Sequence, residues 1–221
     1  MKVACMCSGR GSNMKSILEA KAAGRIPGAE FRGLICDEEG AGALETAAAF
    51  GLPSVTVPFR DFKGDRPAFE GRVLEALRGF GTELVVLAGF QRVLGKTVLG
   101  AYPGKVMNIH PALLPSFPGH QVWAKETGYG VKIAGATVHF VDEGVDSGPI
   151  ILQGAVPVLE TDGPDELSAR ILAVEHRIFP VAVDWVTSGR VTLEGRVSRL
   201  KGFGPSEAQA EAVLIWPPLT A

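Results

Sequence analysis

The apolar residues of this chain fall in short runs separated by polar, glycine-rich breaks. Residues 2–7 form the first run and Ser8-Gly9-Arg10-Gly11-Ser12-Asn13 the first break, after which Met14, Ile17, Leu18 and Ala22 recur at helical spacing. That succession predicts a strand, a tight loop and a helix. The alternation repeats with strands at 31–36, 54–57, 84–88 and 105–109, a helix running through 44–50 to Gly51, and a helix over 67–80. Strands that are apolar throughout need cover on both faces, and right-handed crossovers place the intervening helices there. The predicted class is therefore α/β, a Rossmann-like, open, twisted and mostly parallel sheet.

The pattern changes in the second half. Residues 132–141 and 149–158 read as long strands joined by Asp142-Glu143-Gly144-Val145-Asp146-Ser147-Gly148, an antiparallel hairpin that extends the sheet edge. Leu167, Ile171, Val174, Ile178, Val181 and Trp185 then step by four and three between Pro164 and Gly189. This predicts a long amphipathic helix, kinked or split at Pro180, which has no N–H to donate. Residues 1–203 read as one domain. Residues 204–221, with Gly204-Pro205 at the start, Pro217-Pro218 near the end and an apolar stretch at 212–216, read as an extended or loosely docked tail.

Composition narrows the function classes. A chain of 221 residues, 46% hydrophobic, can bury a single-domain core. Its net charge of −2, without a long basic run, argues against nucleic acid or an anionic membrane as the partner. No apolar stretch approaches the roughly 20 residues of a membrane span, and the N-terminus lacks signal-peptide features, so a cytoplasmic location is expected. The cysteines are three, all on apolar strands (Cys5, Cys7 and Cys36), and an odd count reads as buried thiols rather than disulfides. Cys7, beside the glycine-rich loop, is a candidate nucleophile with no His–Cys signature to activate it.

Two segments carry candidate chemistry. Gly9, Gly11, Ser12 and Asn13 sit where backbone N–H groups and a helix N-terminus bind phosphate. A dinucleotide fingerprint would need glycine in place of Met14, and no Walker Lys-Ser/Thr pair follows, although Asp37 occupies the position of a ribose-binding acid. From this loop alone, a nicotinamide oxidoreductase and a purely structural turn both remain open. The second segment is Asn108-Ile109-His110-Pro111, closing a strand. Residues two apart share a side, so Asn108 and His110 can act on one small group at the sheet's carboxyl edge. If Asp146, on the hairpin connection, meets them, it favours the charged imidazole, and two donors then face one developing oxyanion. Taken singly, Asn108 and His110 are also explained as groups satisfying loop backbone. The four histidines show neither His-x-x-x-His nor Cys-x-x-Cys pairing, so no metal is expected, and mid-strand His139 reads as structural.

These residues resemble the folate-dependent phosphoribosylglycinamide formyltransferases. The resemblance spans nearly the whole chain through Ser8-Gly9-Arg10-Gly11-Ser12-Asn13, Leu87-Ala88-Gly89-Phe90-Gln91-Arg92-Val93-Leu94, Asn108-Ile109-His110-Pro111-Ala112-Leu113-Leu114-Pro115, Asp146-Ser147-Gly148-Pro149-Ile150 and Val174-Glu175-His176, in family order. It implies formyl transfer from 10-formyltetrahydrofolate to glycinamide ribonucleotide in purine synthesis, with Asn108, His110 and Asp146 as the catalytic trio. It further implies that Gly11, Ser12 and Asn13 hold the phosphate, and that Leu172, Ala173, Val174 and Glu175 face the ribose. Gln91, Arg92, Val93, Leu94, Asn108, Val141 and Gly144, with Arg66 nearby, are implied to line the folate pocket.

Read without the resemblance, Arg66 has the alternative of a solvated helix-start charge, and Glu175 that of a surface partner of Arg170 or Arg177. The chain departs from some members at Gly119-His120-Gln121-Val122-Trp123, so no contacts of residues 119–131 are carried over. The substrates implied are small molecules, and the state a monomer or homodimer. Methionyl-tRNA formyltransferase would carry a further basic C-terminal domain. Formyltetrahydrofolate hydrolase would carry an N-terminal regulatory domain, whereas here the first strand opens at Lys2. The alternatives retained are that hydrolase and a non-catalytic nucleotide-sensing module.

Overall fold

The computed structural model describes residues 1–202. The expected tail lies outside the described residues.

Seven strands form one sheet, in the order β3-β2-β1-β4-β5-β6-β7. They are β1 Lys2–Cys7, β2 Glu30–Cys36, β3 Ser54–Thr56, β4 Leu84–Leu87, β5 Val106–His110, β6 Ile133–Phe140 and β7 Ile150–Pro157. The first five are parallel; β6 runs antiparallel to β5 and β7 antiparallel to β6, as the change in pattern predicts. The helices are α1 Ser12–Ala22, α2 Gly42–Ala49, α3 Arg66–Gly79, α4 Lys96–Ala101, α5 Val122–Tyr129 and α6 Pro164–Thr187. β1 and β4 are buried on both faces. Val3, Cys5 and Cys7 pack with Met14, Ile17, Phe179 and Val183 on one side, while Ala4 and Met6 pack with Phe69, Val73 and Leu77 on the other.

The helix ends follow local chemistry. The Asp65 carboxylate accepts from the Ala68 N–H at 3.0 Å and Pro67 lies in the first turn of α3. At α6 the Glu166 side chain reaches back to the Gly163 N–H at 3.0 Å, with Pro164 opening the helix. Contrary to expectation, Pro180 does not split α6, which runs unbroken for 24 residues. Proline removes one N–H from the ladder. Here Pro180 is itself buried, as are Phe179, Ala182 and Val183, and the helix continues past it to Thr187.

Four further features lie outside the sequence expectations: a 3-10 turn at Phe59–Phe62, α4, α5 and a small hairpin, β8 Val191–Glu194 with β9 Val197–Leu200. The hairpin turns at Gly195-Arg196, and Arg196 donates to the Ser147 carbonyl at 2.5 Å, so it braces the connection between β6 and β7. Among the described residues no helix is long and apolar enough to cross a membrane.

Candidate active site

Strand connections run from β1 to β2 and β3 on one side of the sheet and through β4 and β5 on the other, so the loops leaving β1 and β4 diverge. Open α/β sheets bind ligands at such a switch point. A cavity of about 540 Å³ opens here, lined by residues 9–13 after β1, 87–94 after β4, the end of β5 and the connection between β6 and β7.

The loop after β1 is built for close approach. Gly11 caps α1 in the left-handed region, at φ 74°, and a Cβ on it would lie 2.7 Å from the Ala43 Cα. Both facts demand glycine. Ser12 and Asn13 open the helix and line the cavity. Asn13 donates to the buried Glu175 carboxylate at 2.8 Å, and its own Oδ1 is buried without a partner. Burial raises the Glu175 pKa, and the Asn13 hydrogen bond opposes that rise. Glu175 is thus no surface partner; Arg170 instead pairs with Asp162.

On α6 the helical period brings Ser168, Leu172 and Glu175 to the cavity. The implied run of four is accordingly divided. Ala173 is exposed, and Val174 lies against Gly154 and the Ala134 and Ala136 cluster.

Asn108 and His110 share the cavity with Asp146. Asp146 Oδ2 lies 3.4 Å from His110 Nδ1 and accepts from the Gly119 N–H at 2.8 Å. Asp146 itself sits at φ 50°, a conformation tolerated better by Asp than by bulkier residues. The other ring nitrogen of His110 lies 2.9 Å from the Phe117 carbonyl, so both nitrogens face acceptors within the chain.

His139 is the buried, hydrogen-bonded strand residue expected, and it also lines the cavity. Strand pairing sets it directly opposite Asn108. Its Nδ1 is 2.8 Å from the Phe140 carbonyl, an acceptor, so Nδ1 carries the hydrogen. Burial lowers its pKa, against the pull of Phe140 and Asp146, and keeps the ring neutral. Nε2 is then a lone pair, and Asn108 at 3.2 Å must present its amide N–H to it. This fixes which end of the Asn108 amide faces inward.

Gln91, Arg92, Val93, Leu94, Val141 and Gly144 all line the cavity. Arg92, however, is held by Asp37 and Glu38, at 2.7 and 2.6 Å, and stacks on Phe59. Asp37 is therefore committed to a cation, which removes the candidate ribose acid of a nicotinamide site. Arg66 does not reach the main cavity. It lines a second hollow that shares Val93 and Leu94 with the first, and pairs with Glu70. The 119–123 segment, to which no family contacts were carried over, lines the cavity at Gly119, His120, Gln121, Val122 and Trp123.

The three cysteines are free and buried. Burial pushes Cys5 up to about 12, and burial, with the neighbouring thiols and Asp37, also raises Cys7 well above the ordinary thiol value, so a thiolate nucleophile is disfavoured. Among the described residues no cluster of three His, Cys, Asp or Glu side chains is arranged to hold a metal ion.

Comparison with known proteins bears on this geometry. A family profile described as formyl transferase matches residues 1–183. Phosphoribosylglycinamide formyltransferase of Bacillus subtilis is 41% identical over 182 residues, covering 82% of this chain and 92% of that protein. Among solved structures, glycinamide ribonucleotide transformylase 1 of Symbiobacterium toebii superimposes with a TM-score of 0.87 at 42% identity, covering 90% of this chain and 93% of that one. A formyltetrahydrofolate deformylase of Pseudomonas syringae pv. tomato has nearly the same fold, with a TM-score of 0.84, at 25% identity over 90% of this chain and 65% of that one. With its profile match across the whole sheet and these full-length relatives, the chain belongs to the formyl transferase family.

Proposed function

We propose that the chain transfers the formyl group of 10-formyltetrahydrofolate to the amine of glycinamide ribonucleotide, a step of purine synthesis, within the domain formed by residues 1–203. The observation that carries this reading is one cavity lined by both a phosphate-type loop and the Asn108, His110 and Asp146 side chains. A nucleotide sensor has use for the first and none for the second. The hydrolase shares the fold at lower identity, and water as acceptor makes no use of the phosphate loop.

In this reading the N–H groups of residues 11–13 receive the substrate phosphate, supported by the α1 dipole. Leu172 and Glu175 line the ribose. Val93, Leu94 and Val141 form an apolar wall for the flat folate ring, Gln91, Arg92 and Gly144 complete that pocket, and Arg66 stands beyond its far end.

The amine nitrogen attacks the formyl carbon, and the carbonyl becomes an oxyanion. Asn108 and His110 donate to it, the formyl oxygen replacing the Phe117 carbonyl as acceptor for His110. Collapse breaks the bond from carbon to the folate nitrogen, and the proton shed by the amine ends on that nitrogen, with Asp146 as the nearest carboxylate to relay it. The trio needs no covalent intermediate. Holding both reactants in one cleft is worth about 7 to 11 kcal/mol of barrier when they are well oriented.

Absorbance-monitored consumption of 10-formyltetrahydrofolate, with and without glycinamide ribonucleotide, tests the assignment. Strict dependence on the ribonucleotide is expected. Equal consumption in its absence identifies a hydrolase, and no consumption in either case returns the chain to a binding role.

A further inference from the structure

Residues 89–95, of which 89–94 line the cavity and Val93 and Leu94 give it an apolar wall, belong to no helix or strand. Such a segment keeps its shape only where other groups fasten it. Its start is tied to the loop after β1: the Gly89 carbonyl accepts from the Ser8 N–H at 3.0 Å, and the Gln91 N–H donates to Ser8 Oγ at 2.8 Å. Val93 and Leu94, by contrast, make no hydrogen bond within the described residues, so their main-chain groups remain for a ligand.

Two buried carboxylates, neither of which lines the main cavity, fasten the rest. Glu70, only 2% exposed on α3, accepts from the Gly95 N–H at 2.6 Å and from Arg66 Nε at 2.8 Å with the same oxygen. The fit is close, since a Cβ on Gly95 would lie 2.8 Å from that oxygen. Asp37, 1% exposed at the end of β2, holds the guanidinium of Arg92. A buried carboxylate costs desolvation, which these two recover through hydrogen bonds to one short segment. They grip it three residues apart, on either side of Val93 and Leu94.

We propose that Glu70 and Asp37 are positioning residues for the formyl-donor pocket. Acting from outside the cavity, they hold residues 92–95 in the one shape in which the Val93 and Leu94 side chains wall the cavity and their main-chain groups stay free to read a ring edge. The proposal rests on the folate-dependent reading above. It assigns specificity for the donor, and none for the phosphate-bearing substrate, whose loop lies after β1.

The test compares the native chain with Glu70→Leu, Glu70→Gln and Asp37→Asn. Leucine approximates the shape of Glu70 but removes the acceptor for Gly95, whereas glutamine keeps an oxygen there. Steady-state rates are measured against each substrate, and tetrahydrofolate binding is measured by titration calorimetry. Glu70→Leu should raise the donor KM and weaken tetrahydrofolate about tenfold or more, with the ribonucleotide KM and the kcat at saturating donor within about twofold of native. Glu70→Gln should restore most of the affinity, and Asp37→Asn should fall between. If folded variants bind tetrahydrofolate as the native chain does, or if both KM values rise together, the positioning role is overturned while the functional reading stands. A native chain that binds no tetrahydrofolate overturns both.

Discussion

At the scale of single residues the site depends on which polar groups are satisfied and which are left waiting. Asn108 donates to His139, and His110 faces an acceptor at each ring nitrogen, so both side chains are oriented before substrate arrives, and in the proposed reading the formyl oxygen has only to take the place of the Phe117 carbonyl at His110. Pre-set donors avoid reorganisation during the reaction. A different kind of residue is Glu126 on α5, buried, with Oε2 unpartnered and its carboxyl raised by burial to about 7. The folded chain holds this proton more tightly than the unfolded chain does. The stability it contributes is therefore whole below about pH 4.5 and is lost as pH rises through about 7. Glu126→Gln keeps the shape without the ionisation. Calorimetry should find the variant melting several degrees above the native chain at pH 8, since each unit is worth ~1.4 kcal/mol and each kcal/mol about 2–4 °C. The offset should shrink steadily as pH falls and nearly vanish by about pH 4. An offset equal at both pH values would mean that Glu126 does not titrate in this range.

At the scale of elements, the turn from β1 into α1 has the least freedom. Gly11→Ala would place a methyl group against the Ala43 backbone in a conformation that costs roughly 1–2 kcal/mol for an L residue. Steady-state kinetics should show the ribonucleotide KM raised about tenfold or more with the donor KM little changed, because in the proposed reading only the ribonucleotide uses this turn. An unchanged ribonucleotide KM would detach the loop from phosphate binding.

The same scale separates what was legible in the sequence from what was not. The seven sheet strands were legible because runs of apolar and β-branched residues bounded by glycine, proline or polar breaks leave few alternatives, and Asn108 with His110 followed from their spacing of two on β5. The six-residue α4 is too short to display a helical period, and α5 buries Val122 and Glu126 while exposing Trp123, which hides its apolar face. The β8 and β9 hairpin is half exposed, so its pattern is polar. His139 meets Asn108 across 31 residues through the β5 to β6 register, which no local pattern encodes. The Arg92 pair with Asp37 is likewise a contact between the ends of two distant strands. The helical period, applied strictly, already distinguishes Leu172 and Glu175 from Ala173 and Val174.

For the whole molecule, the fold gathers segments far apart in the chain. The sheet order makes the loops after β1 and β4 diverge, α6 closes one side, and the antiparallel β6 to β7 connection brings Asp146 back over the end of β5. In the proposed reading each substrate thereby has its own wall, and the transferred group lies between them at His110. The central claim is that direct transfer takes place at this trio. It is tested most directly by the rate of formyl transfer to glycinamide ribonucleotide in the native chain and in Asp146→Asn, a change that preserves shape and removes charge. A fall in kcat of at least about a hundredfold is predicted, with KM for both substrates near native. A variant that transfers formyl at the native rate would contradict the account.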